Sequence, residues 1–410
     1  MKVSQQNSQN NDNSQKDNYQ HHIKYHDALY MRVTLSFFMA GLSTFALLYF
    51  VQPILPILTH EFKISPAQAS MSLSLCTGLL ALGLLVTGTL SDAIGRKNIM
   101  VISLLSAAIF TFISVFMQSW DGILLTRALV GLALSGVAAV AMTYLSEEIH
   151  PNYLALSMGL YISGNSIGGM SGRLITGILT DHFSWRIVTI IFSLFAFIAA
   201  IVFWHLLPPS RHFRASSVRP CFVWVNFRVH LRDKGLPFLF MIGFIIMGSF
   251  ITLYNYIGYR LLEPPYNFSQ TMIGLLSFIF LAGTYSASKA GFLALRYNYA
   301  DILFIAISFM LIGTIITFFS AISWILLGMV ILTIGFFAAH AIVSSWIGKR
   351  AKRAKAQASS WYLFSYYGGS SIAGTLGGIF WSHWGWNGII GFIVFLTSIG
   401  LIISIQLRNI

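Results

Sequence analysis

Arg127, Arg173 and His340 stand in stretches otherwise dominated by Leu, Ile, Phe, Ala and Gly, and they set the chemistry open to this chain. A guanidinium stays charged at physiological pH and offers five N–H donors in a planar fork that matches a carboxylate or phosphate. An imidazole with an ordinary pKa near ~6.5 gains and loses protons in the physiological range. A charge inside a bilayer costs at least ~2.5 kcal/mol, so such groups face a cavity or a partner. Further polar and aromatic groups stand at comparable depth: Tyr49 and Gln52, with Pro53 able to bend the helix, Asn165, Tyr254, Asn255 and Tyr256, and Trp361, Tyr362, Tyr366 and Tyr367. No Asp or Glu lies deep within any of these stretches. A cation would find no counter-charge there, so the expected ligand is an anionic, zwitterionic or strongly hydrogen-bonding solute. Blander readings compete with each assignment. Arg127 and Arg173 can snorkel outward with Asp121 or Asp181 as partners, and His340 can be a packing histidine bonded to a neighbouring Ser.

The elements that must position these groups are membrane helices. Hydrophobic residues make up 56% of the 410-residue chain and charged residues 9%, far from the composition of soluble domains. Apolar stretches near or above the ~20 residues that cross a bilayer recur along its length. Twelve are expected: 33–58, 69–91, 98–118, 122–146, 153–179, 185–207, 236–261, 271–295, 299–320, 323–347, 358–381 and 387–407. The fold class is therefore all-α and polytopic. A cytoplasmic tail (1–32) precedes one six-helix bundle (33–207), a basic linker (208–235) and a second six-helix bundle (236–410).

The net charge of +13 is distributed like a topology signal rather than a nucleic-acid footprint. Most Lys and Arg fall in the tail, in the turns after even-numbered stretches and at Arg408, with clusters at Arg211–Lys234 and Lys349–Lys355. The positive-inside rule then places both termini in the cytoplasm. The first 27 or so residues, rich in Asn, Gln and Ser, lack the apolar run of a signal peptide and are expected to be disordered. His21 and His22 in that tail are not read as a metal site. Cys76 and Cys221 are expected to form no disulfide. No Walker-type Gly-Lys-Ser/Thr loop is present, so no ATPase is expected in the chain.

Gly88-Thr-Leu90-Ser-Asp92-Ala93-Ile-Gly95-Arg96-Lys97 forms a polar turn between the second and third apolar stretches. It resembles the signature turn of the major facilitator superfamily, G-x-L-x-D-[basic]-x-G-[basic]-[basic], departing from it only at Ala93. Arg127 with Gly131 resembles the R-x-x-x-G motif of span four. Gly164, Gly168 and Gly169 resemble G-P-x-x-G-G of span five, with Asn165 in place of the proline. The resemblance covers residue 33 to the end and points to the twelve-span drug:proton antiporter and arabinose-efflux branch. It implies an integral protein of the plasma (bacterial inner) membrane that exports a small-molecule substrate by alternating access, driven by the proton gradient without other cofactors. A monomer surrounded by membrane lipid is expected to suffice. The resemblance further implies a gate in which Gly88, Asp92, Gly95, Arg96, Lys97 and Glu147 hold the cavity closed on the cytoplasmic side. Asp92 would also favour the positive N-terminus of span eleven, near Ser359 and Ser360. Uptake by symport, or facilitated flux, remains the alternative within the same fold.

One internal repeat is legible. Gly164-Asn-Ser-Ile-Gly-Gly-Met-Ser-Gly172 aligns with Gly369-Ser-Ser-Ile-Ala-Gly-Thr-Leu-Gly377 in the corresponding span of the second half. Gly164, Gly168 and Gly172, like Gly369, Ala373 and Gly377, step by four and give one smooth face per helix, suited to close helix packing. Residues 291–296 echo the turn after span two, but Leu295 stands where Asp92 does. The stretch 164–168 also spells G-x-S-x-G, and with His340 as base it gives a rival reading as an intramembrane serine hydrolase. That chemistry requires a strand-to-helix elbow, and a membrane helix is expected there instead.

Overall fold

The computed structural model describes residues 22–211, 229–351 and 355–408, apart from the side chains of Thr89, Asp92, Lys355 and Ala356. The expected disorder before residue 22, Cys221 and most of the basic linker lie outside the described residues. Among those described, the regular elements are helices, with one isolated bridge between Ile23 and Ile149. Among the described residues ten helices are long and apolar enough to cross a membrane, one of which, Gln357–Leu407, is 51 residues long. That length is two crossings. The helix breaks at Gly385 (φ 56°, ψ −141°), a conformation open to glycine, so spans eleven and twelve turn back inside one run. Pro151–Thr180, with 30 residues, is long enough for span five but diluted by Gly, Ser, Asn and Arg. Twelve spans result.

Two spans depart from the single helices expected of them. Span one is helical over Ala28–Tyr49, then resumes as Leu55–Phe62. Pro53 explains the break, because it has no N–H for the Tyr49 carbonyl and its ring would clash there. Span eight is Gln270–Leu275, a single 3-10 turn Leu276–Phe278, and Ile279–Leu293. The remaining spans are Pro66–Ile94, Arg96–Ser114, Trp120–Glu148, Trp185–Leu206, Leu236–Leu262, Tyr299–Ile316 and Ile322–Arg350. Span two starts at a capping box, with Gln68 N donating to Ser65 Oγ (3.2 Å) and Ser65 N to Gln68 Oε1 (2.9 Å).

Part of the expected tail is ordered. Ile23 is buried, its N–H donates to the Glu148 carbonyl (2.9 Å), and its carbonyl accepts from His150 N (3.0 Å). The helix of span one begins at Ala28, ahead of the expected residue 33. The polar composition of the tail conceals one apolar side chain with a place to dock.

The small-residue faces are helix seams. Gly164 lies against the Phe38 backbone, Gly168 against Leu42 and Gly172 against Ala46, which seats span five on span one. In the second half Gly369 lies against the Phe244 backbone and Gly377 against Thr252 and Tyr256, while Ala373 meets Gly248, which seats span eleven on span seven. A Cβ at Gly164 or Gly369 would strike a backbone carbonyl of the neighbouring helix.

The halves meet at the end of the bundle away from the termini. There Gly378 of span eleven lies against Ala67 of span two, and Gly177 of span five against Gly274 of span eight. Towards the middle of the bundle, Gly78 of span two also meets Ser371 of span eleven. The bundle is therefore sealed at one end.

Candidate functional site

Arg173 stands two turns before the end of span five, just inside the sealed end. Its Nε donates to Gln52 Oε1 (2.5 Å) and its Nη1 to the Gly169 carbonyl (2.7 Å). Gln52 can meet it because the break after Tyr49 turns that residue out of helical register. Gln52 in turn donates through Nε2 to Asn255 Oδ1 (2.7 Å). This chain of bonds joins spans five and one of the first half to span seven of the second. The guanidinium lies over the Tyr49 ring (4.2 Å to its centroid) and the Phe280 ring (4.8 Å). Among the described residues Arg173 forms no ion pair, and its Nη2 makes no hydrogen bond. A small cavity lined by Gln52, Pro53, Arg173, Tyr254, Ile273 and Ser277 lies beside it.

A wall of rings continues from Phe280. Its centroid is 5.5 Å from that of Phe250, which stacks on Phe336 at 3.9 Å. His340 and Tyr366 follow, with centroids 4.7 Å apart. His340 Nδ1 shares a hydrogen bond with Tyr362 Oη (2.6 Å), so its partner is a tyrosine of span eleven rather than a serine. Tyr254 Oη bonds Thr333 Oγ1 (3.0 Å). Arg173, Gln52, Tyr49, Tyr254 and Asn255 are thus brought together, with His340 further along the same wall. Phe250, Phe280 and Phe336 escape sequence reasoning, because a phenylalanine in a span reads equally as core or lipid contact. The Phe336-Phe337 pair one turn before His340 is the only local signal.

Arg127 is held elsewhere. Its Nη1 and Nη2 donate to the carbonyls of Leu47 and Leu48 (3.0 Å each) and its Nε to that of Ser72 (3.2 Å). Those first two carbonyls belong to the last turn of the broken span-one helix, where no intrahelical donor reaches them. Arg127 therefore caps that helix, with its positive charge at the negative end of the dipole. Neither arginine pairs with an aspartate as the snorkelling reading expects. Asn165 lies against Gly41 in the seam with span one, more than two turns from Arg173.

At the end bearing the termini, Gly95 adopts φ 102° and lets span three start directly after span two. Arg96 grips Glu147 with two bonds, Nη2–Oε1 at 2.8 Å and Nε–Oε2 at 3.2 Å, and donates through Nη1 to Ser91 Oγ (2.6 Å). Lys97 is half-buried beside this pair. The Asp92 side chain lies outside the described residues, so its place in the gate and near Ser359 and Ser360 is undescribed. Glu148 accepts from Ser210 Oγ and Arg211 N (2.6 Å each), which anchors the start of the linker.

At the sealed end, Asp181 follows span five and accepts from Gln270 N (2.9 Å) and Thr271 N (2.8 Å). Desolvation opposes ionisation of this carboxylate, but the hydrogen bonds from Thr271, Gln270 and Ser269 outweigh it and hold its pKa below the usual range. Thr59 Oγ1 also meets Tyr259 Oη across the halves (2.7 Å). Glu61 accepts from Trp185 Nε1 and Arg186 Nη1. Ser166 lies inside an unbroken helix, not on an elbow.

Paired six-helix bundles, a polar turn after span two and charged groups turned into the interface define a membrane transporter. Residues 33–374 match the Major Facilitator Superfamily, and the chain belongs to that family. It is 56% identical over 380 residues to the inner membrane transport protein YnfM of Escherichia coli (strain K12), covering 93% of this chain and 91% of that protein. An uncharacterized transporter of Buchnera aphidicola subsp. Baizongia pistaciae is 50% identical over 378 residues, covering 92% and 94%. In fold the chain is similar to a bacterial homologue of the human lysosomal transporter Spinster, in its inward-facing and occupied conformation. The TM-score is 0.75 at 13% identity, over 93% of this chain and 97% of that one.

Proposed function

We propose that this transporter is a proton-driven exporter of a small polar or anionic solute, working by alternating access as a monomer in a bacterial inner membrane with both termini in the cytoplasm. The observation that carries this reading is Arg173. It is a buried guanidinium between the halves, bonded to neutral groups and without a carboxylate partner among the described residues. A charge so placed favours an anion beside it, where the attraction exceeds its value in water. The sealed end supports a state that loads from the side of the termini, which the basic loops assign to the cytoplasm. The similarity to an inner membrane transport protein supports the location. His340, bonded to Tyr362 along the same wall, is the candidate group for the proton.

The test compares solutes released by cells lacking and overproducing the protein, with and without a protonophore. The reading expects an anionic or polar metabolite to accumulate outside the overproducing cells, and the protonophore to abolish that excess. Release unaffected by the protonophore would point to a facilitator. Depletion of the solute from the medium would point to uptake by symport.

A further inference from the structure

We propose that Arg173 holds a chloride ion in the small cavity beside it while the halves are closed, the halide supplying the counter-charge that the chain does not. Other arginines drawn into the bundle are each answered by negative charge. Arg96 grips Glu147, and Arg350 pairs with Asp233 (2.6 Å). Arg127 meets the carbonyls of Leu47 and Leu48 in the last turn of the first segment of span one. Arg260 meets those of Thr317 and Phe319, just past the end of span nine. Both pairs of carbonyls stand at the negative end of a helix dipole.

Arg173 has no such answer among the described residues, although it is buried. Its acceptors are Gln52 Oε1, which is neutral, and the Gly169 carbonyl, which lies in mid-helix where the macrodipole is not felt. The Tyr49 and Phe280 rings add only the weaker attraction of their faces. The acidic residues of the described helices are Glu61, Asp92, Asp121, Glu147, Glu148 and Asp301, and each lies within one turn of a helix end. A buried charge is costly unless it is paired. A diffusible anion is the remaining source of compensation.

The cavity sets the size of that anion. Lined by Gln52, Pro53, Arg173, Tyr254, Ile273 and Ser277, it measures about 20 Å³, room for one water-sized occupant. A carboxylate, phosphate or sulfate does not fit there, and a monatomic halide does. Donors remain for it. Nε of Arg173 can only donate, so Gln52 turns its Oε1 toward the guanidinium. One N–H of the Gln52 amide goes to Asn255 Oδ1 (2.7 Å). Its second N–H and the Nη2 of Arg173 are left without acceptors, both on residues that line the cavity. The second segment of span one starts at Leu55, two residues beyond Pro53, and brings the positive end of a helix to the same break.

The halide is distinct from the exported solute. It occupies the closed state whichever way the solute moves, and an anionic solute reaches Arg173 only once the halves part and the halide leaves.

The experiment measures radiolabelled chloride retained by the purified full-length protein in detergent, and its unfolding temperature, with chloride, bromide or sulfate added to gluconate buffer at equal ionic strength. Chloride should bind saturably at one ion per chain, and bromide should displace it while sulfate and gluconate do not. The unfolding temperature should rise with chloride and bromide alone. Arg173→Gln should lower chloride retention by about tenfold or more. Ser277→Asp, which places a carboxylate in the cavity wall, should do the same with the guanidinium still present. If Arg173→Gln does not fold, Ser277→Asp and the wild-type anion ranking decide the matter. No saturable chloride binding in the wild type would mean that the cavity holds only water, and would overturn the site while leaving solute release by cells, and so the export reading, untouched. Undiminished binding in Arg173→Gln would place the ion elsewhere and overturn the site equally. Chloride bound as expected by a protein that takes up its solute would support the site and overturn export alone.

Discussion

Asp181 accepts a hydrogen bond from the backbone N–H of Thr271 (2.8 Å), so the residue that ends span five in one half caps the first turn of span eight in the other. A helix cap normally serves its own helix. Here it can be broken only by separating the halves at the sealed end, which is the motion alternating access requires. Gly177 against Gly274 lets the two backbones come close enough for the carboxylate to reach.

Asp181→Ala should favour opening of that end. A lost N-cap costs ~1 kcal/mol, or about a fivefold shift in a two-state equilibrium. Labelling of Ser277→Cys by a membrane-impermeant maleimide should rise by about that factor. No change in labelling would mean that the glycine contact alone holds the seal.

The same contact has a defined pH response. Because the folded-state pKa of Asp181 is depressed, its stabilisation is complete above the ordinary carboxylate value of ~3.9 and is lost as pH falls through the lowered one. The effect of the Asp181 cap on labelling of Ser277→Cys should therefore stay constant between about pH 8 and about pH 5. A difference between wild type and Asp181→Asn that vanishes within that window would contradict the assignment.

Arg127→Lys and Arg173→Lys should behave differently although both keep the charge. An ammonium cannot reach three carbonyls on two helices at once, so Arg127→Lys should lose about 2–3 kcal/mol of stability, read as a lower unfolding temperature in detergent. Its ligand preference should be unchanged. Arg173→Lys should keep its stability and bind the anion more weakly. Arg127→Lys with wild-type unfolding and altered affinity would place that residue in the site after all.

His340→Gln should preserve a hydrogen bond to Tyr362 while removing the titrating group. The pH profile of export should flatten, with protein level unchanged. An unaltered profile in this variant would take the proton role away from His340.

Glu147→Gln should reduce flux several-fold while leaving membrane insertion intact, because it weakens the two-bond grip on Arg96 without changing side-chain volume. Asp92→Asn should do the same if it shares the gate. Normal flux in both variants would remove the gate from the 88–97 turn.

The spans and the arginines were legible because a bilayer penalises buried charge and unpaired backbone so heavily that few arrangements survive. Pro53 marked a bend, although not that the bend would free two carbonyls. The cap formed by Arg127 was hidden because its partners are backbone groups some 55 to 80 residues away, and carbonyls carry no sequence signature. The Asp181 contact was hidden for the same reason. The aromatic wall was hidden because phenylalanine is the same letter facing lipid, core or chamber. The docking of Ile23 leaves no mark on the sequence, because composition averages over a single apolar residue.

The paired seams have a use of their own. Phe38 with Gly164 and Phe244 with Gly369 are twin copies of one joint, one in each half. A change made at one joint has its matched control in the same molecule. Gly164→Ala and Gly369→Ala impose nearly the same local insult on opposite halves. Any disparity in transport between them then measures the asymmetry of the working cycle, with the chain serving as its own reference.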